Sequence, residues 1–151
     1  MDRASKAGIG IHAVQVGKLV MAAVVVVNAM GDIFDPSNGR KIAGLRTEDG
    51  SGFVSTSQEL YKISKRTDMF TGNTTIGAVI TNGKFAKAEM SKIASMARCG
   101  YARCINPVGT MADGDTIYAA TIGEVEADIN VAGTLAAEVM AEAIVKAVKN
   151  A

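Results

Sequence analysis

The run Leu-Val-Met-Ala-Ala-Val-Val-Val-Val at residues 19–27 constrains this chain more than any other feature. Nine apolar residues are about half of what a bilayer-spanning helix requires. Valine favours an extended backbone, so the run reads as a buried strand ending at Asn28. A buried strand needs a sheet around it, and the 48% hydrophobic content over 151 residues supplies the core of a single domain.

The rest of the chain gives that strand its partners. Residues 9–16 read as a strand turned by Gly17-Lys18 into the apolar run. Asp35-Pro36-Ser37-Asn38-Gly39 is a turn signal. Residues 47–72 are polar and poorly periodic, a surface connection with one helical turn at residues 58–63. Residues 75–81 form a second buried strand, closed by Asn82-Gly83. Ala86, Met90, Ile93, Ala94, Ala97 and Tyr101 then recur at helical spacing. Asp113-Gly114-Asp115 leads into a strand over residues 116–122. Val131, Leu135, Val139, Met140, Ile144 and Val148 mark the face of a closing helix, with Glu142 and Lys146 spaced as an i,i+4 pair. Strands first, then strand, helix, strand and helix, predict sheet layers covered by helices.

Several function classes are disfavoured. With 16 basic and 15 acidic residues the chain has no electrostatic footprint for nucleic acid or an anionic membrane. The first six residues have no apolar core of a secretory signal, and the cytoplasm is the expected location. Cys99 and Cys104 have the wrong spacing for a CxxC motif. His12, the single histidine, lies in an alternating strand and reads as a surface or core residue of that strand. No metal site or cofactor is expected. The sequon Asn73-Thr74-Thr75 reads as coincidental without a secretory signal.

The tetrad Gly72-Asn73-Thr74-Thr75, just ahead of the second buried strand, carries chemistry. Cutting the bond between residues 73 and 74 would leave Thr74 with a free α-amino group beside its own hydroxyl. A hydroxyl is a poor nucleophile at neutral pH, and the adjacent amine can serve as its base.

Lys6-Ala7-Gly8-Ile9-Gly10, the segment from Val26 to Asp32, Gly72-Asn73-Thr74-Thr75-Ile76 and Asp113-Gly114-Asp115-Thr116 occur in this order. Together they resemble the autoproteolytic N-terminal nucleophile hydrolases that include the L-aminopeptidase/D-esterases, β-aminopeptidases and nylon-oligomer endohydrolases. The resemblance covers essentially the whole chain. It implies an αββα sandwich of two sheets covered by helices, and a precursor that cuts itself once into an α-chain-like part (1–73) and a β-chain-like part (74–151). It also implies roles: Thr74 as nucleophile, Asn73 on the acyl side of the cut, and Asn28 as the oxyanion amide. Lys6 would be a cation near the nucleophile, and Asp113 and Asp115 an acidic pair orienting the Thr74 amine. Family precursors carry a long segment ahead of the first motif, with a sheet strand and part of the substrate pocket, and this sequence starts only a few residues before it.

Local sequence leaves other readings of these residues open. Asn28 is also a strand-ending turn residue, Asp113-Gly114-Asp115 a solvated turn, and Lys6 a solvated charge. Two functions follow. One is a self-cleaving amidohydrolase acting on short peptides with a free amino end or on β- or ω-amino acid oligomers. The other is a catalytically incomplete subunit that needs an upstream-encoded partner. Either self-association as a homo-oligomer or assembly with an upstream-encoded partner chain is expected before amide hydrolysis appears.

Overall fold

The computed structural model describes residues 3–63 and 72–151. The apolar run forms strand β2 (Leu19–Asn28), paired with β1 (Ile9–Val16) through the tight turn at Gly17. On its other side β2 pairs antiparallel with β5 (Thr74–Gly83), and β5 runs parallel to β7 (Thr116–Val125). These four strands make one sheet in the order β1-β2-β5-β7. A smaller sheet has the order β4-β3-β6, from Arg40–Ala43, Asp32–Asp35 and Ile105–Asn106. The short strands β3, β4 and β6 carry too little periodicity to be read from the sequence.

The long helices α2 (Lys87–Cys104) and α3 (Ile129–Lys149) pack against each other. Both lie on one face of the large sheet, α3 over β1 and β2 and α2 over β7. Leu19, Met21, Ala23, Val25 and Val27 point into this layer, as alternate residues of a strand must. Fully burying a side chain such as Met21, Ile93 or Ile144 is worth roughly 1.5–3 kcal/mol. The mixed α/β class with two sheets and covering helices is therefore as expected.

The expected face of α3 is buried at Val139, Met140 and Ile144, with Leu135 and Val148 packed against the core, but it fails at its first residue and extends over the alanines beside it. Val131 is 47% exposed, whereas Ala132, Ala136, Ala143 and Ala147 are buried. Small residues let the backbones approach: a Cβ on Gly10 would sit 1.8 Å from the carbonyl oxygen of Ala143. Nor do Glu142 and Lys146 pair with each other, because the Lys146 ammonium lies 2.7 Å from His12 Nδ1. The one-turn helix begins earlier than expected, as α1 (Thr56–Tyr61), with Ser55 accepting from the Gln58 amide at its N-terminus. The last part of the surface connection lies outside the described residues.

Asp32, at the start of β3, anchors the small sheet. Its buried carboxylate accepts from the Thr56 hydroxyl (2.7 Å), the Thr56 amide (3.0 Å), the Leu45 amide (3.3 Å) and the Lys41 ammonium (2.7 Å). Four donors satisfy a charge that burial alone would penalise.

The opposite face of the large sheet is apolar and open among the described residues. Ile11 on β1, Val26 on β2, Ile76 and Ile80 on β5, and Tyr118 and Ile122 on β7 are all exposed, Ile122 by 66%. Asn28 and Thr74 alternate onto this same face. No described helix is long and apolar enough to cross a membrane.

Candidate active site

The β2–β5 ladder ends with Asn28 opposite Thr74. Gly72, in the turn before β5, adopts φ +108°, and Asn73 bridges in parallel to Asp113. The peptide bond between residues 73 and 74 is thus held between the end of β2 and the loop entering β7.

Three contacts define its surroundings. The Thr74 hydroxyl donates to the carbonyl oxygen of Asn73 at 2.5 Å. The Gly114 amide donates to that same oxygen at 3.0 Å. The side-chain amide of Asn28 donates to the carbonyl of Gly72, one peptide upstream, at 2.9 Å. Gly114 is a glycine for a steric reason: a Cβ there would lie 2.8 Å from Thr74 Oγ1.

The two acids are fixed in different ways. Asp115 Oδ1 accepts the backbone amide of Thr75 at 2.9 Å. Burial pushes the Asp115 carboxyl above the ordinary carboxylate range, and the charge of Asp113 adds to this. The Thr75 amide, the Arg98 guanidinium and the Gly109 amide act in the other direction. Asp113 closes the preceding turn, accepting from the Thr110 hydroxyl at 2.8 Å and amide at 3.1 Å, and more loosely from the Met30 amide at 3.4 Å. Neither carboxylate is hydrogen-bonded to Thr74; the pair sits beside it through Thr75 and Gly114.

Lys6 is exposed, and no described hydrogen bond or ion pair holds it. The pairing of Val27 with Gly8 continues the β1–β2 edge toward it, so Lys6 is at the same end of the sheet as Asn28 with no described hydrogen bond or ion pair to the other site residues.

Beneath the site, Tyr101 is fully buried on α2. Its hydroxyl lies 3.2 Å from the carbonyl oxygen of Thr75 and 3.4 Å from that of Thr116, tying β5 to β7 just behind the acids. Burial raises its phenol above the ordinary value, and Asp115 adds to this. A cleft of about 360 Å³ opens here, lined by Ser95, Arg98, Tyr101, Thr110, Asp113 and Asp115. Sequence reasoning places Tyr101 only as a core residue and does not single out Gly114, Thr110 or Arg98. A glycine between two acids is the one available signal. Among the described residues no group of three or more His, Cys, Asp or Glu side chains is placed to hold a metal ion.

Residues 3–151 match the sequence profile of peptidase family S58. The chain is 36% identical over 108 residues to an uncharacterized aminopeptidase of Mycobacterium leprae (strain TN), covering 71% of this chain and 30% of that protein. It is 29% identical over 163 aligned positions to a 6-aminohexanoate-oligomer endohydrolase of Kocuria sp. (strain KY2), covering 98% of this chain and 46% of the relative. The chain thus spans less than half the length of either relative. Among solved structures, the L-aminopeptidase D-Ala-esterase/amidase of Ochrobactrum anthropi, a variant of the Ntn hydrolase fold, superposes with TM-score 0.60 at 18% identity, over 97% of this chain and 41% of that one. A Burkholderia sp. β-aminopeptidase superposes with TM-score 0.56 at 19% identity, over 95% and 42%. These two likenesses concern the fold. With residues 3–151 inside the profile match, the chain belongs to peptidase family S58.

Proposed function

We propose that this chain carries the self-cleaving nucleophile of an N-terminal threonine amidohydrolase, with Thr74 attacking the carbonyl of Asn73 and afterwards the amide of a substrate. The observation that carries the reading is the Thr74 hydroxyl at 2.5 Å from the Asn73 carbonyl oxygen, an oxygen that already accepts a backbone amide. Attack on the preceding carbonyl is intramolecular in any conformation, and what the fold adds is orientation, by holding the hydroxyl against that carbonyl group. After the cut, residues 1–73 and 74–151 form two pieces, and the new α-amine of Thr74 is the base for its own hydroxyl. Asn28, opposite Thr74, is then the donor to the oxyanion of a substrate. Asp115, holding the next amide in the strand, fixes the direction of the new N-terminus. Lys6 adds positive charge at that end of the sheet. The names of the relatives support short peptides with a free amino end, or ω-amino acid oligomers, as the substrate class.

Intact mass spectrometry tests this. Two pieces are expected from the wild-type chain and one from Thr74→Ala. A wild type that remains whole in its complete assembly overturns the assignment.

A second reading is favoured by the open apolar face that carries Asn28 and Thr74. In it, the site becomes competent only when a further polypeptide layer, encoded upstream or supplied by another copy, covers that face. Such a layer would provide the far wall of the substrate pocket, and it is consistent with the greater length of the relatives.

A further inference from the structure

We propose that the backbone amide of Gly114 is the oxyanion donor for the self-cleavage step. The inference rests on the Thr74 reading and goes beyond it by separating the donor used in cutting from the donor used in turnover.

Attack on the Asn73 carbonyl drives charge onto one oxygen, and Gly114 N–H already points at it from 3.0 Å. The Thr74 hydroxyl also touches that oxygen in the uncut chain, but it becomes the attacking group. Asn28, the donor assigned to turnover, is engaged elsewhere: its amide holds the carbonyl of Gly72. Residue 114 is also pinned on both sides. Asp113 is tied to Thr110 and Met30, and Asp115 to the Thr75 amide. A donor fixed in this way need not reorganise as charge develops. The missing Cβ allows the approach, since a side chain at 114 would press against the nucleophile itself.

The step balances as an acyl transfer. A bond forms between Thr74 Oγ and the Asn73 carbonyl carbon, and the carbonyl pair moves onto the oxygen facing Gly114. That pair returns as the carbon–nitrogen bond breaks, and the hydroxyl proton ends on the Thr74 nitrogen. Water then hydrolyses the ester, leaving a carboxylate on Asn73.

A backbone ester at residue 114 removes this donor, sets an ester oxygen against the Asn73 carbonyl oxygen in its place, and leaves every side chain unchanged. Cys104 is a native ligation point, so residues 104–151 can be synthesised with glycolic acid in place of Gly114 and joined to residues 1–103. The all-amide ligated chain is the control, and cutting is followed by intact mass. We expect the ester chain to cut about a hundredfold more slowly, or worse, as for loss of one oxyanion donor. Cutting at the control rate overturns the proposal. Asn28→Ala in the all-amide chain is a second arm, read against the same control and so independent of how the ester chain folds: it should slow cutting by less than about a hundredfold, and a loss of about a hundredfold or more assigns the donor to Asn28 instead. If the all-amide chain stays whole, or Thr74→Ala still cuts, the Thr74 reading itself fails. If the control cuts, Thr74→Ala does not, and the ester chain keeps pace, only the Gly114 assignment fails.

Discussion

Asn28 and Thr74 face one another as the terminal pair of the β2–β5 ladder, and the Asn28 side chain reaches past Thr74 to the carbonyl of Gly72. In the uncut chain the amide is therefore occupied by the segment that cutting would release. Substrate hydrolysis by Asn28→Ala should fall by about a hundredfold or more, mainly in kcat, as for removal of one oxyanion donor. Steady-state kinetics on the cut enzyme check this. A variant that loses only affinity, with kcat unchanged, would place Asn28 in substrate binding.

Gly114→Ala keeps the backbone amide but adds a methyl 2.8 Å from Thr74 Oγ1. The hydroxyl must then turn away from the Asn73 carbonyl or the loop must withdraw, and an ångström-scale displacement of reacting atoms costs about 100-fold. Self-cleavage should slow by that order while the melting temperature stays close to wild type, because Gly114 is exposed and its φ is not positive. A folded variant that cuts at the wild-type rate would show that the loop yields without consequence.

The parts of the fold legible in the sequence are those with an unambiguous period. β2, β5, α2 and α3 announce themselves through Val-rich alternation or the spacing of Met90, Ile93, Ala97 and Tyr101. The small sheet does not, because β3 and β4 span four residues each and are held by the Asp32 carboxylate rather than by pattern. The buried face of α3 is wider than its periodicity marks: Val139, Met140 and Ile144 are buried as expected, and close packing on Gly10 buries the alanines beside them as well. At the site, Thr74, Asn28, Asp113 and Asp115 stand in motifs. Gly114 acts through its backbone, and Tyr101 acts through a hydroxyl that helical spacing cannot distinguish from a phenyl ring.

Asp115 should titrate above an ordinary aspartate, because burial opposes its charge and Asp113 adds to this. Arg98→Gln removes an opposing positive charge and should raise its pKa further. Asp113→Asn removes a like charge and should lower it. NMR titration of the Asp115 carboxyl carbon checks both signs. The sign for stability follows: the native state holds the proton more tightly than the unfolded chain. In the window from the unfolded value near 3.8 up to the raised native value, stability is therefore lost as pH rises. Shifts in the same direction for both variants would mean that neither charge acts on Asp115 as its position implies.

Tyr101→Phe keeps the ring packing but removes the hydroxyl that links the carbonyls of Thr75 and Thr116. The expected cost is about 1 kcal/mol, measured by urea denaturation, with a larger effect on cutting if β5 and β7 loosen beside Asp115. The raised phenol pKa means that the native state holds its proton where the unfolded chain would lose it. Wild type should accordingly lose stability as pH rises above the unfolded tyrosine value, about 10, and the Tyr101→Phe variant should lose less there. Equal alkaline losses in both would remove Tyr101 from that behaviour.

Ile11, Ile76, Ile80, Tyr118 and Ile122 leave the outward face of the large sheet apolar and uncovered. A contiguous patch of this kind drives association in water, and the sheet presents it on the side that carries Asn28 and Thr74. The 151-residue chain should therefore sediment as a concentration-dependent oligomer. Ile11→Thr with Ile122→Thr should shift it toward the monomer, since both residues stand on outer strands and face away from the helices. The same pair should change the unfolding midpoint little, because neither side chain is in the core, and β-branched threonine suits a strand. A wild-type chain that remains monomeric at every concentration would show that this face needs no cover.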